Sequence, residues 1–293
     1  MIAARYRALF AVATVMLLGG SNCSGGDHGN QSAQNSATST SCYAHSPLHV
    51  PAPAPAHALF VLIDQTTGLD EDLQRGLKEK VNALLTPGTA YTISTFSAYS
   101  HSNRPTLTAT GAIEAPIPQS DRPNLSVKHL QDLDACLGLQ RTYLTTQAAT
   151  ALDKATGAAS SSFSNSEIFA GLTQLAQAVK DSPAPEKIVV VVSDLMEHSS
   201  VTSFYANRNL RRIDTPAELA KVEKVRLFGD FGGARIFVMG AGLLSPESTS
   251  AGRDLGALDK LHDFWEQWFK RSHADLAEYG QPDLLTTVAW QSP

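Results

Sequence analysis

Leu59-Phe60-Val61-Leu62-Ile63-Asp64 and Ile188-Val189-Val190-Val191-Val192-Ser193-Asp194 are two apolar runs that lead into aspartates. Unbroken apolar stretches of this length read as strands buried on both faces of a parallel sheet. In an open α/β sheet, ligands bind in the crevice beyond the carboxyl ends of the strands. Asp64 and Asp194 both emerge there, and two carboxylates so placed can share a hard cation.

Working outward, Leu69, Leu73, Leu77, Val81, Leu84 and Leu85 fall on one helical face that stops at Pro87-Gly88. Ala90–Phe96 alternates as a strand, with Thr106–Ile113 as its hairpin partner and a Ser/Asn-rich loop over 97–105 between them. Gly111 weakens the second of these strands. A polar helix is predicted over Leu130–Lys154, with Cys136 in its first half. Ser164 and Glu167, three apart, suggest a capping box ahead of a helix over Ile168–Val179. A further helix over Pro216–Val225, a strand over Ala234–Met239 and a helix carrying Leu258, Leu261, Trp265 and Trp268 follow. Leu284–Trp290 is expected as the final strand. Strands alternating with helices predict an α/β fold: a doubly wound, mostly parallel sheet with one antiparallel edge strand and helices on both faces. No internal repeat is present.

The chain has 293 residues, 43% of them hydrophobic, which suffices for a substantial core. A net charge of −5 without a basic patch argues against nucleic acid as a partner. Residues 1–23 read as an export signal: Arg5 and Arg7, then an apolar stretch from Ala8 to Leu18. That stretch is shorter than the roughly 20 residues a membrane span needs. Cys23 resembles the acylation site of bacterial lipoproteins, although Gly20 and Asn22 depart from the usual residues before such a cysteine. Simple cleavage nearby and an uncleaved anchor are the alternatives. Residues 24–56 are low in complexity and end in Pro51-Ala52-Pro53-Ala54-Pro55, as in a flexible tether with a stiff spacer. His28, His45, His49 and His57 along it read as solvated linker residues. The remaining cysteines, Cys42 and Cys136, form one disulfide in an exported protein, or stay free thiols. Residues 57–293 form the folded domain.

The strand–helix order, with Asp64, Thr66 and Asp194 in place, resembles the von Willebrand factor A-type family over nearly all of residues 57–290. In that family a metal-ion-dependent adhesion site collects Asp-x-Ser-x-Ser, a Thr from a second loop and an Asp from a third. The resemblance places Asp64 as the first Asp and Thr66 as the first Ser. Gly68 stands at the second Ser and supplies no side-chain oxygen, so the implied site is degenerate. Ser164 matches the second-loop Thr, with Ser166 as the alternative because that loop has no fixed register. Asp194 matches the last Asp, followed by Leu195 where the family has Gly. The implied cofactor is Mg²⁺ or Mn²⁺, and the implied partner is a protein presenting an acidic residue. The same residues have a metal-free reading in which Asp64, Asp194, Thr66 and Ser164 cap helices.

Other patterns carry less. Asp194, His198 and Ser199 lie too close together on one loop to form a hydrolase triad, and the nucleophile elbow is missing. Asp230-Phe231-Gly232 lacks the rest of the kinase set, and Gly240-Ala241-Gly242 is not a dinucleotide fingerprint. Trp265 and Trp268 read as core, and Arg208–Arg212 as a solvated basic cluster. The expectation is a non-enzymatic, exported binding module, periplasmic or lipid-anchored, that meets a membrane only through its N-terminus. A metal-free scaffold in an envelope assembly is the alternative, and an envelope hydrolase the outsider.

Overall fold

A computed structural model describes residues 41–96, 105–158, 166–206, 209–243 and 255–291. The element order is β1 (His57–Asp64), α1 (Glu71–Leu84), β2 (Thr89–Phe96), β3 (Thr106–Ile113), α2 (Val127–Gly157), α3 (Ile168–Asp181), β4 (Glu186–Val192), β5 (Tyr205–Ala206), β6 (Asn209–Leu210), α4 (Thr215–Lys224), β7 (Arg235–Met239), α5 (Leu255–Arg271) and β8 (Asp275–Tyr279). A short 3₁₀ turn, Gln119–Asn124, precedes α2.

One six-stranded sheet has the order β3-β2-β1-β4-β7-β8. Only β3 runs antiparallel, at the edge. The sheet is thus doubly wound, as the sequence predicts. The period of two along each strand divides its side chains between two cores. Phe60, Leu62, Val189 and Val191 pack with α3, α4 and α5 on one face. Leu59, Val61, Ile63, Val190 and Val192 pack with α1 and α2 on the other. Both central strands therefore need apolar residues at every position. Trp265 and Trp268 are wholly buried, each with its indole N–H on a backbone carbonyl, of Leu195 and Leu227 respectively.

Two expectations change. Leu284–Trp290 is not a strand; the eighth strand is Asp275–Tyr279, whose acids Asp275 and Glu278 suit an edge. Leu284 and Val288 are buried, but nearby backbone donors go to side chains: Glu278 takes the amides of Leu285 and Thr286, and Glu186 takes that of Gln291. Alternating burial here reflects packing without a ladder.

The segment 41–56, assigned to the tether by composition, carries buried Cys42 and Tyr43. They join Ile117, Leu130, Leu133 and Leu137 in a small third core. The Cys42 amide and the Gln140 side chain both donate to Glu114, and the Tyr43 hydroxyl donates to the Ala115 carbonyl. A disulfide joins Cys42 to Cys136, with Cα atoms 5.9 Å apart and 94 residues of separation. Low complexity concealed a strap because few residues, among them Cys42, Tyr43, Leu48 and Val50, make its contacts with the third core. Cys23 lies outside the described residues. Among the described residues no helix is long and apolar enough to cross a membrane.

Candidate functional site

The strand order reverses between β1 and β4: β2 lies beyond one and β7 beyond the other. Connections diverge at such a switch point and open a crevice at the carboxyl edge. Asp64 is the last residue of β1, and Asp194 follows β4 by two. The two acids flank this crevice.

Asp64 is wholly buried and accepts four hydrogen bonds. Its Oδ1 takes the Thr66 amide at 2.8 Å and the Thr66 hydroxyl at 2.6 Å. Its Oδ2 takes the Ser193 hydroxyl at 2.8 Å and the Ser166 hydroxyl at 3.1 Å. Thr66 and Ser166 also touch each other, at 3.3 Å between hydroxyl oxygens. Residues from three loops thus meet on one carboxylate. Asp194 Oδ1 takes the Met196 amide at 2.8 Å, and its Oδ2 takes the Tyr205 hydroxyl at 3.1 Å. The Asp194 amide donates to Thr67 Oγ1 at 3.0 Å, tying the first loop to the third.

Ser166, the alternative second-loop residue, is brought to Asp64, while Ser164 lies outside the described residues. A pair of backbone bonds with His198, 3.0 and 2.9 Å, fixes the register of Ser166. Glu197, also buried, accepts the Phe169 amide at 3.0 Å and so caps α3 from another loop. Burial pushes its carboxyl up to about 8. Gly68 faces open space, with nothing within 4 Å of a would-be Cβ.

The helix-capping alternative does not describe the two acids. Asp70 caps α1 and Asp214 caps α4, each accepting an amide of the first turn. Leu195 sits in the left-handed region at φ 58°, where an L residue is strained. Here a leucine is held there by burial, by the Ser193 hydroxyl on its amide and by Trp265 on its carbonyl.

Electrostatically the site is unusual. Burial pushes the Asp64 carboxyl above the carboxylate range, against the pull of the Thr66, Ser193 and Ser166 donors. Burial, then the charge of Asp64, pushes Asp194 up to about 7. Among the described residues, no lysine, arginine or histidine pairs with either acid. No three His, Cys, Asp or Glu side chains among those residues cluster as metal ligands. The donors at hand are therefore carboxylate and hydroxyl oxygens, a hard set suited to Mg²⁺ or Mn²⁺ and not to a thiophilic metal. His198 bonds Ser203, at 2.8 Å, while the Ser199 hydroxyl takes the Val201 amide at 3.2 Å. Asp194, His198 and Ser199 are not linked as a relay.

No protein-family model matches the chain, and no curated protein matches it significantly. Among solved structures it is similar to an aerotolerance-related membrane protein from Bacteroides fragilis, solved with multiple mutations to serines, at 11% identity and a TM-score of 0.36. The match covers 77% of this chain and 92% of that one.

Proposed function

We propose that the chain is an exported von Willebrand factor A-like binding module that holds a divalent cation between Asp64 and Asp194 and uses it to engage an acidic partner protein. The observation that carries this reading is the pair of buried carboxylates without a protein cation. Buried charges are normally paired or coordinate a metal. Asp64, Thr66, Ser166 and Asp194 would hold the ion, with water completing the roughly six oxygens that Mg²⁺ takes. The ion would supply positive charge at the crevice for an acidic group to meet. The disulfide and the apolar segment Ala8–Leu18 favour export, since disulfides persist in oxidising compartments. Lipidation at Cys23 belongs to the same proposal.

The competing reading is a metal-free scaffold. It is favoured by the full set of donors on Asp64, which satisfies that carboxylate without an ion. Thermal melting separates the two. With Mg²⁺ at about a hundred times its dissociation constant, the chelator-treated chain should gain roughly 5–10 °C. Asp64→Asn should lose the gain. A melting temperature unmoved at millimolar Mg²⁺ would leave the scaffold.

A further inference from the structure

We infer that the free edge of β3, with the flank of α2 above it, is an interface for a second copy of this chain, joined by antiparallel pairing of β3 with β3 across a two-fold axis. The inference is independent of the cation reading above. An edge strand carries a row of backbone N–H and C=O groups turned away from its one partner, and proteins protect such rows with charges, proline, short strands or covering segments. The two edges of this sheet differ in this respect. β8 is short, Asp275–Tyr279, and includes two acids, and its Glu278 folds the following segment back by accepting the amides of Leu285 and Thr286. β3 runs for eight residues without a charge or a proline, and among the described residues it is paired on one side only. Its one protective device is a bulge at Thr108, which leaves Ala109–Ile113 in regular register with β2.

The apolar surface continues from the strand onto α2. Gly111 lets the helix come close: a Cβ there would meet the Tyr91 ring at 2.7 Å and Leu144 at 2.9 Å. Leu152 is buried in the core that α2 shares with α1, and Asp153 beside it bridges to Lys78 of α1. Tyr143 precedes Leu152 by roughly two and a half helical turns, and so lies on the opposite flank, toward the β3 edge. It is close enough to Tyr91, the β2 partner of Gly111, to add to the upward push that burial gives that phenol. Leu139 lies one turn earlier on the same stripe, and Leu107, Leu139 and Tyr143 are all exposed. Between Asp134 and Asp153 the only charged residue of α2 is Arg141.

A second copy is the occupant these features fit. In a two-fold dimer a residue near the axis meets its own copy, so a charge there repels itself. On a chain of net charge −5, β3 and residues 135–152 of α2 carry no acid. An axis normal to the sheet makes the two strands antiparallel and leaves both α2 helices on one face, with Leu139 and Tyr143 of each turned toward the other. Apolar side chains then extend the backbone pairing toward the roughly 1,000 Å² that a stable interface buries.

The test is sedimentation velocity of the full chain in mild detergent over a range of concentrations, beside Leu107→Lys, Ala112→Lys and Leu139→Lys, with Leu285→Lys near the other edge as control. All four side chains are exposed, so each variant should melt with the parent. The expected result is a dimer in the parent and in Leu285→Lys, with a dissociation constant raised about tenfold or more in the other three. If a strand variant does not melt with the parent, Leu139→Lys on the helix decides. A parent that stays monomeric at about 100 μM overturns the inference. So does a dimer that the Lys variants leave intact, since the contact then lies elsewhere, as in the apolar segment Ala8–Leu18.

Discussion

Glu218 and the Asp64–Asp194 pair are buried acids serving the same stretch of chain, the segment after β4. Glu218 projects from α4 and accepts Thr202 Oγ1 at 2.7 Å, Arg211 Nη2 at 2.7 Å and Lys221 Nζ at 2.9 Å. Burial alone would push its carboxyl up, but the Lys221, Thr202 and Arg211 bonds outweigh it and hold the carboxyl below the usual range. At the crevice the donors are hydroxyls, amides and a phenol, and both carboxyls are pushed up. The chain supplies cations to a buried acid where it needs a fixed loop, and withholds them at the switch point. That difference is the support for proposing a ligand at the crevice.

The contrast can be broken most forcefully at Glu218. Replacing Arg211 and Lys221 together by Met leaves a buried carboxylate bonded only to Thr202. This should cost about 3–5 kcal/mol in urea denaturation. A loss within error would mean that the two sites do not differ in kind.

The pH dependence comes next. Asp194 loses its proton near 3.8 when unfolded and at about 7 when folded, and Glu197 behaves alike between 4.5 and about 8. Across that window the folded state binds more protons, so stability falls as pH rises. Glu218 has the opposite sign, its contribution being lost only as the pH falls below the ordinary 4.5. In chelator, the melting temperature should therefore drop by several degrees between pH 5 and pH 8. A rise over the same interval would contradict the assignment.

The smallest effect isolates one acid. Asp194→Asn keeps an acceptor for Met196 and a partner for Tyr205 while removing charge. In chelator at pH 8 it should stabilise the chain by about 1–2 kcal/mol, as replacing buried charge often does. Destabilisation by the same amount would show that Asp194 is compensated by something else.

Much of this arrangement is legible in the residues. The runs Leu59–Ile63 and Ile188–Val192 announce central strands because both faces of the sheet are covered, and their ends announce Asp64 and Asp194. The approach of Ser166 to Asp64 is not legible. That loop has no periodicity, and its register comes from the backbone pairing of Ser166 with His198, a contact between segments distant in sequence. The Tyr205 bond to Asp194 is not legible because its strand has two residues and the contact spans eleven positions. The Cys42 strap was hidden by composition, since Ser, Ala and Pro around it resemble linker. Leu284–Trp290 misled because buried residues alternate there without strand pairing.

The most direct test of the central claim is calorimetric titration of the chelator-treated chain with Mg²⁺ at pH 7, repeated in buffers of different ionisation enthalpy. With Asp194 titrating at about 7, an arriving cation must expel the protons it finds there. The expected result is saturable binding of one ion with net release of roughly half a proton or more, absent in Asp64→Asn. Saturable binding without proton release would place the ion elsewhere, and no binding at millimolar Mg²⁺ would contradict the claim outright.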